Sequence, residues 1–381
     1  MLESKAVSQE LKNQIIKVSQ ELGFADVKFI PAKALLDSEK RFLEWRGKGF
    51  AADMNYLLKE DPINARPEHL LAEAKTIIMF TAHYYSPAPL RPSEKHGRIA
   101  SYAVGLDYHK VLRKKIQDLI NHSELKDSFS KSKFFTDAVP LLEKSFAKKA
   151  GLGFRGKNTL LISRESGSFN FILEIITDLE LEPDTEEDWL ATPTKQARND
   201  AIPTCGNCVR CIDICPTNAL PEPYQLDARK CISYHTIENR GEVPQELASK
   251  FGEWFFGCDL CQTVCPYNRD AKVAKAKPPI FPEFSPNAGF GHWIYLPEIL
   301  DLEYGKHKNP NSLISSLENH KFIRKEDFKL IKNKLEKKDL LEDEDLDFVF
   351  QTKFAQTPLL RPKRSGLLRN AKIVLKNWSS F

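Results

Sequence analysis

The chain has 381 residues, 41% of them hydrophobic and 28% charged, and a formal net charge of +4. This is the composition of a soluble globular protein of two or three domains, long enough to bury an ample core without disulfide staples. A charge so close to neutrality does not by itself call for a polyanionic partner.

The opening stretch, MLESKAVSQELKNQIIKVSQELGF, carries acids and lacks both a twin-arginine pair and an apolar export core, so it is not an export signal. No later segment reaches the roughly 20 apolar residues that a membrane helix requires, and the protein is expected to be cytoplasmic. Leu11, Ile15, Val18 and Leu22 fall on one helical face, and Gly23 is placed to end that helix before a strand at 25–30. Strands are expected at 76–84 (TIIMFTAHY) and 169–179 (FNFILEIITDL), where Ile, Phe and Thr are dense, with a helix from Val111 to Ile120 between them. Residues 1–184 thus read as an α/β domain, a mixed sheet with flanking helices. The polar stretch 182–200 reads as a surface excursion out of it.

All eight cysteines follow, between Cys205 and Cys265. The first group, Cys205-x2-Cys208-x2-Cys211-x3-Cys215-Pro216, is the run in which three close thiolates hold one four-iron four-sulfur cube and the fourth reaches a second cube. Cys258-x2-Cys261-x3-Cys265-Pro266 repeats it with Phe255 in the first position, and Cys231 between the groups supplies the missing thiolate. Cross-ligation assigns Cys205, Cys208, Cys211 and Cys265 to one cluster, and Cys215, Cys231, Cys258 and Cys261 to the other. Zinc, which prefers two separated ligand pairs, and a disulfide framework both fit this spacing less well. Such a chain moves electrons, in a reducing compartment. The cysteine region is expected to form a ferredoxin-like domain, 185–290, ending in a proline-rich irregular stretch, 278–286.

Residues 291–381 read as a small helical domain, with apolar residues at helical spacing in Phe328, Leu330, Ile331 and Leu335 and again in Leu367, Leu368, Ile373 and Leu375. From Lys353 onward there are seven Lys or Arg (Lys353, Arg361, Lys363, Arg364, Arg369, Lys372, Lys376) and no acid. Such a tail is either a solvated helix face or a phosphate-contacting surface.

About 200 residues precede the cysteines, more than an electron carrier needs. Their most distinctive run is DAVPLLEK from Asp137, continuing to AGLGFRGKNT. Glycines at 151, 153 and 156 suit either turns or close backbone approach to a cofactor.

The runs FTDAVPLLEKSFAKKAGLGFRGKNTLLIS, GSFNFILEIITDLELEPD, CGNCVRCIDICPTNAL, CISYHTI and GCDLCQTVCPYN, with Gly105-x-Asp107-Tyr108-His109, resemble the epoxyqueuosine reductase family over residues 10–290. The resemblance implies a cobalamin over the α/β domain, two four-iron four-sulfur clusters, and as substrate a tRNA carrying epoxyqueuosine at the anticodon wobble position. It implies reductive loss of the epoxide oxygen, with electrons from an unidentified low-potential donor; separately, the chain is expected to be a monomer with no membrane partner. Asp137 matches the family's proton donor, although an Asp before AVPLLEK is also a favoured helix N-cap. By the same match the backbone of Leu161, Ile162 and Ser163, with Ile172 and Ser233, lines the cobalamin site, held base-off without a protein ligand. Asp107, Tyr108 and His109 are supporting candidates, or simply a polar turn before the helix at Val111. Arg66 stands near where relatives carry a basic cofactor contact, and RPKRSGLLRNAKIVLKN keeps a basic helix for tRNA. Reductive dehalogenases combine the same cofactors, but usually with a twin-arginine signal that this chain lacks.

Overall fold

The computed structural model describes residues 2–58, 65–129, 131–137, 141–184, 204–269, 281–307, 309–318 and 323–379. Strands and the longer helices are numbered in chain order. They run α1 (Leu2–Glu21), β1 (Asp26–Pro31), α2 (Leu36–Gly47), β2 (Thr76–His83), β3 (His96–Ile99), α3 (Tyr108–Ile120), β4 (Ser132–Phe135), α4 (Glu143–Lys149), β5 (Phe154–Arg155), β6 (Leu161–Ile162) and β7 (Asn170–Thr177). After the first cysteine group come β8 (Trp254–Phe256), β9 (Trp293–Tyr295), α5 (Pro310–Glu318), α6 (Lys325–Leu335), α7 (Asp343–Lys353) and α8 (Lys363–Ser379).

The chain divides into two compact units, each assembled from separated stretches. The first comprises Met1–Tyr85, Tyr108–Arg229 and Leu260–Phe281, and the second Ser86–Asp107, Lys230–Asp259 and Pro282–Phe381. Three consecutive domains, 1–184, 185–290 and 291–381, are not how these contacts divide, because 86–107 and 230–259 pack with the C-terminal helices.

The first unit is built on a four-stranded sheet in the order β1-β2-β7-β4. Every pairing in it is antiparallel, where the sequence suggested a mixed sheet. The segment between β1 and β2 leaves and rejoins the sheet at one end, as Pro31 opposite Thr76 requires, and so cannot make the crossover that parallel strands need. β2 is buried along its whole length and β7 along nearly all of it, which is why both read as continuous apolar runs. On one face Ile77, Met79, Ile172 and Ile176 pack against Phe146 of α4. Phe146 is fully buried, and truncating it to Ala would cost about 3–5 kcal/mol through the cavity left behind.

Local signals are obeyed at the ends of this unit. Gly23 follows α1 at φ +93°, and a Cβ there would stand 2.9 Å from the Phe281 ring. α3 begins at Tyr108, not Val111, because the Tyr108 ring stacks on Phe171 at 4.4 Å and anchors the first turn. Of the polar stretch 182–200, Asp184 accepts from Lys12 at 2.8 Å and from the Phe29 amide at 2.7 Å; residues 185–200 lie outside the described residues.

In the second unit β3 lies at the centre of a three-stranded sheet, parallel to β8 and antiparallel to β9. Phe255, Phe256, Ile294, Leu313, Ile331, Val349, Phe354, Leu367 and Val374 form its core. Of the expected α6 face, Ile331 and Leu335 are buried, whereas Leu330, one residue away and turned about 100° around the helix, is 53% exposed. In the proline-rich stretch, Pro282–Phe284 makes a single 3-10 turn, and 278–280 lie outside the described residues. Among the described residues no helix is long and apolar enough to cross a membrane.

Candidate active site

Four of the eight thiols meet in the first unit. Cys205, Cys208, Cys211 and Cys265 line one cavity with Ile162, Asn158, Lys157, Arg210, Pro266 and Tyr267. Phe154 and Ile162 pack against Cys265, giving the quartet an apolar wall. The Lys157 amide donates to Cys205 Sγ at 3.4 Å, and its Nζ to the Gly206 carbonyl at 2.7 Å. The Ala219 amide donates to Cys215 Sγ at 3.3 Å, the N–H to sulfur contact that stabilises an anionic cluster. Burial, and then the neighbouring Cys205, push the Cys211 thiol up; burial does the same to Cys265. Four thiols lining one cavity are a donor set that fits a four-iron cluster, which binds them as thiolates. All eight cysteines are free thiols. Of the other four, Cys215 and Cys261 belong to the first unit and Cys231 and Cys258 to the second.

Asp137 follows β4 at φ +49°, a left-handed conformation that costs a non-glycine residue about 1–3 kcal/mol. It is not a helix cap, since α4 starts at Glu143 with Leu142 at the N-cap. Three groups hold it. The Tyr108 hydroxyl donates to Asp137 Oδ2 at 2.6 Å, and His109 Nε2 lies 3.9 Å from the same oxygen. The Asp137 amide donates to Glu143 Oε1 at 2.5 Å. Thr136, the residue before, donates its hydroxyl to the Ile172 carbonyl at 3.1 Å and so fastens this corner to β7. The Asp137 side chain is 70% exposed, open to a substrate and oriented from behind. Tyr108 and His109 thus stand on the first turn of α3 beside it, not in a turn before a helix.

Two acids beside Asp137 were missed by sequence reasoning. Burial, and next the Asp137 carboxylate, raise the pKa of Glu143 to about 8. Glu174, in the middle of β7, is fully buried with neither carboxylate oxygen hydrogen-bonded. Burial, then Glu143 and Asp137, push its pKa well above the usual carboxylate range. The signal for Glu174 was present: one acid in the apolar run FNFILEIITDL.

The residues expected around a corrin are distributed unevenly. Leu161 and Ile172 are buried in the apolar cluster beneath α4, and Ile172 is tied to the residue before Asp137 through the Thr136 bond. The Ile162 side chain packs into the cysteine quartet's wall. The Ser163 amide and carbonyl are both paired with Gly167, and its Oγ accepts from the Glu165 amide, leaving a carbonyl lone pair for a corrin amide. Ser233 stands in the helical turn Ile232–Ile237 of the second unit. Gly153 and Gly156 serve packing, since a Cβ on either would strike Ile162 at 2.4 or 2.5 Å. Arg66 is engaged in a two-bond pair with Glu39, at 3.0 and 2.9 Å. An exposed, oriented acid next to backbone carbonyls that keep a lone pair fits a corrin ring with amide side chains.

The basic C-terminal residues are largely occupied within the second unit. Lys353 is buried against Glu298 at 3.0 Å, Arg361 pairs with Glu238 at 2.9 Å, and Lys372 pairs with Glu303. Arg364 bridges Asp343 and Asp347 and donates to the Leu302 carbonyl at 2.9 Å. Arg369 donates to the carbonyls of His235, Asn239 and Gly241, and Asn370 to those of Thr236 and Phe255. The LLRNA run is therefore a clamp on the segment between Cys231 and Cys258. Of these residues Lys363 remains exposed, as do parts of Arg361, Lys372 and Lys376.

Comparison with known proteins agrees with this geometry. Residues 204–268 match the model of a 4Fe-4S double cluster binding domain, and residues 65–138 that of "Epoxyqueuosine reductase QueG, DUF1730". The epoxyqueuosine reductase of Escherichia coli is 35% identical over 300 residues, 77% of this chain and 72% of that protein. A crystal structure of epoxyqueuosine reductase with an epoxyqueuosine-modified tRNA-Tyr stem loop is 26% identical, with TM-score 0.73, over 97% of this chain and 82% of that one. The Bacillus subtilis enzyme, solved with its catalytic aspartate loop swung out of the active site, is 25% identical with TM-score 0.72, again over 97% and 82%. With two thiol runs inside the double-cluster match, and relatives of this identity and coverage, the chain belongs to the epoxyqueuosine reductase family.

Proposed function

We propose that this protein reduces epoxyqueuosine to queuosine at the wobble position of tRNA, with electrons delivered through two four-iron four-sulfur clusters. The observation that carries it is the presence, in one unit of a chain of this family, of a four-thiol cavity and an exposed carboxyl oriented by Tyr108. The α/β unit is the catalytic one, with ferredoxin-like cluster binding by the cysteine runs. Cys205, Cys208, Cys211 and Cys265 hold one cluster; Cys215, Cys231, Cys258 and Cys261 hold the other.

Cobalamin, when bound, supplies the low-potential two-electron chemistry that no side chain can. Asp137, the backbone of Leu161, Ile162 and Ser163, and Ile172 and Ser233 are the residues that would hold it. The chain's own contribution is acid–base. An epoxide oxygen is a poor leaving group as an anion, and Asp137 within hydrogen-bond reach delivers a proton as the carbon–oxygen bond opens. Tyr108 keeps that carboxyl from turning away. The relative solved with a modified stem loop supports tRNA as the substrate here, bound in the reducing cytoplasm from which a low-potential carrier supplies electrons.

The test is anaerobic incubation of purified protein with epoxyqueuosine-containing tRNA and a low-potential reductant, followed by nucleoside analysis and measurement of corrin and iron. Queuosine formed in step with corrin content supports the reading. Iron-loaded protein that binds no corrin and forms no queuosine overturns it.

A further inference from the structure

Conversion of an epoxide to an alkene and water consumes two electrons and two protons. The clusters account for the electrons. Asp137 is placed to deliver one proton, and a second acid beside it would supply the other. The structure offers a second source directly behind it, where Glu143 is joined to the Asp137 amide at 2.5 Å. Glu174 lies on the same strand face as Ile172 and Ile176, the face that α4 covers, and Glu143 opens that helix. Opposite Glu174 in the sheet stand Met79 and Phe135, neither of which can share a proton. A fully buried carboxyl with both oxygens unpartnered is costly unless it has a task, since a buried group left without a hydrogen bond costs about 1–3 kcal/mol.

We propose that Glu143 returns a proton to Asp137 within each turnover, and that Glu174, buried and unpartnered on the sheet face that α4 covers, donates its O–H to the Glu143 carboxylate that results. This rests on the function proposed above. The balance is as follows. Asp137 gives its proton to the epoxide oxygen as the carbon–oxygen bond breaks and the delivered electrons enter. The Glu143 carboxylic acid gives its proton to the Asp137 carboxylate, and Asp137 passes it on, so that the oxygen leaves as water. Glu143 is left ionised, and the Glu174 O–H, without a partner at rest, finds one. After product release the chain refills from solvent through the exposed Asp137.

Among the described residues, the other charged or titratable groups facing this chain of acids are Lys144 next to Glu143, Arg155 and Cys261 beyond it, and Tyr108 and His109 at Asp137. Glu143 needs to be neutral to donate, so turnover declines as pH rises through about 8, the value burial gives it.

The test uses loaded protein and multiple turnovers. Glu143→Gln keeps an oxygen for the Asp137 amide but has no proton to give, so kcat should fall about 100-fold, the scale of a general acid, with the alkaline limb near pH 8 lost. Glu174→Gln retains an N–H donor and should stay within about twofold of wild type, while Glu174→Leu should lose about tenfold, both small against a full general-acid effect. In cofactor-free protein, infrared spectra should contain the carbonyl stretch of a protonated carboxylic acid that Glu174→Gln removes; this readout stands even if the Leu variant does not fold. Wild type that forms no queuosine refutes the function. Wild type that forms it while Glu143→Gln keeps the same kcat and pH profile refutes the relay alone, and absence of the infrared band refutes the neutral Glu174.

Discussion

The Tyr108 hydroxyl donates to Asp137 Oδ2 across 2.6 Å, from a ring that is itself stacked on Phe171 of β7. The acid at the mouth of the site is thus indirectly braced by the centre of the sheet. Asp137→Asn preserves shape and the left-handed backbone while removing the acidic proton. It should keep clusters and corrin and lose about 100-fold or more in turnover. Tyr108→Phe leaves the ring in its stack and should lower kcat by a smaller factor. Iron, corrin and single-turnover rates check both; a normal rate for Asp137→Asn at full loading would remove Asp137 from the chemistry.

Glu143 also carries a stability signature. Its folded pKa of about 8 lies above the ordinary carboxylate value of 4.5, so between those pH values the folded protein binds a proton that the unfolded chain does not. Stability from this group is fully present below pH 4.5 and is lost as pH rises through about 8. Glu143→Gln removes that dependence. Its melting temperature should match wild type in acid and exceed it by pH 8.5, read by thermal unfolding of cofactor-free protein at about half-unit pH intervals.

The clamp made by Arg369 and Asn370 bears on one cluster only. Asn370 is fully buried and donates to Thr236 O at 2.8 Å and Phe255 O at 3.1 Å, on the turn after Cys231 and the strand before Cys258. Asn370→Leu leaves two buried carbonyls without that donor, a cost of about 1–3 kcal/mol for each. Iron should fall from about eight per chain towards four, as it should in Cys231→Ala, with the cluster of the Cys205 quartet retained. Chemical iron analysis with low-temperature paramagnetic resonance distinguishes one remaining cluster from two.

For tRNA, the basic C-terminal residues separate into two groups. Arg364 is buried between two acids, and Arg364→Ala should lower stability by about 1.5–3 kcal/mol, the scale of hydrogen bonds to charged groups. Lys363 is exposed at the start of α8, and Lys363→Ala should leave the melting temperature unchanged while reducing the salt slope of tRNA binding by about one. An unchanged slope would make this end of α8 a solvated surface.

Much of this was legible in the chain. Cysteine spacing is dictated by the size of an iron–sulfur cube, so the quartet around Cys265 could be read before any fold was known. The buried strands could be read because β2 and β7 are covered on both faces. The direction of strand pairing could not, because antiparallel and parallel central strands have the same apolar composition. The partners of the basic tail were also hidden. Lys353 and Glu298 lie far apart in sequence, and nothing local marks one as the counter-ion of the other. Glu174 was overlooked because a single acid in an apolar run looks like noise until its burial is known.

The central strand of the second unit has a consequence for how the protein is made. Arg98 of β3 pairs with Trp254 and with Trp293, both of which leave the ribosome long after it does. Short-range contacts cannot complete this sheet, and long-range pairing is slow because the intervening loop must first be closed. The antiparallel sheet of the first unit needs nothing beyond β7 and can assemble while synthesis continues. Cys231 and Cys258 therefore emerge into a unit whose sheet is still incomplete, and iron delivered to them before β9 has been translated would meet thiols on an unfinished scaffold. Cluster insertion at these two positions is expected to be a late, post-translational event, with the Cys205 quartet filled first.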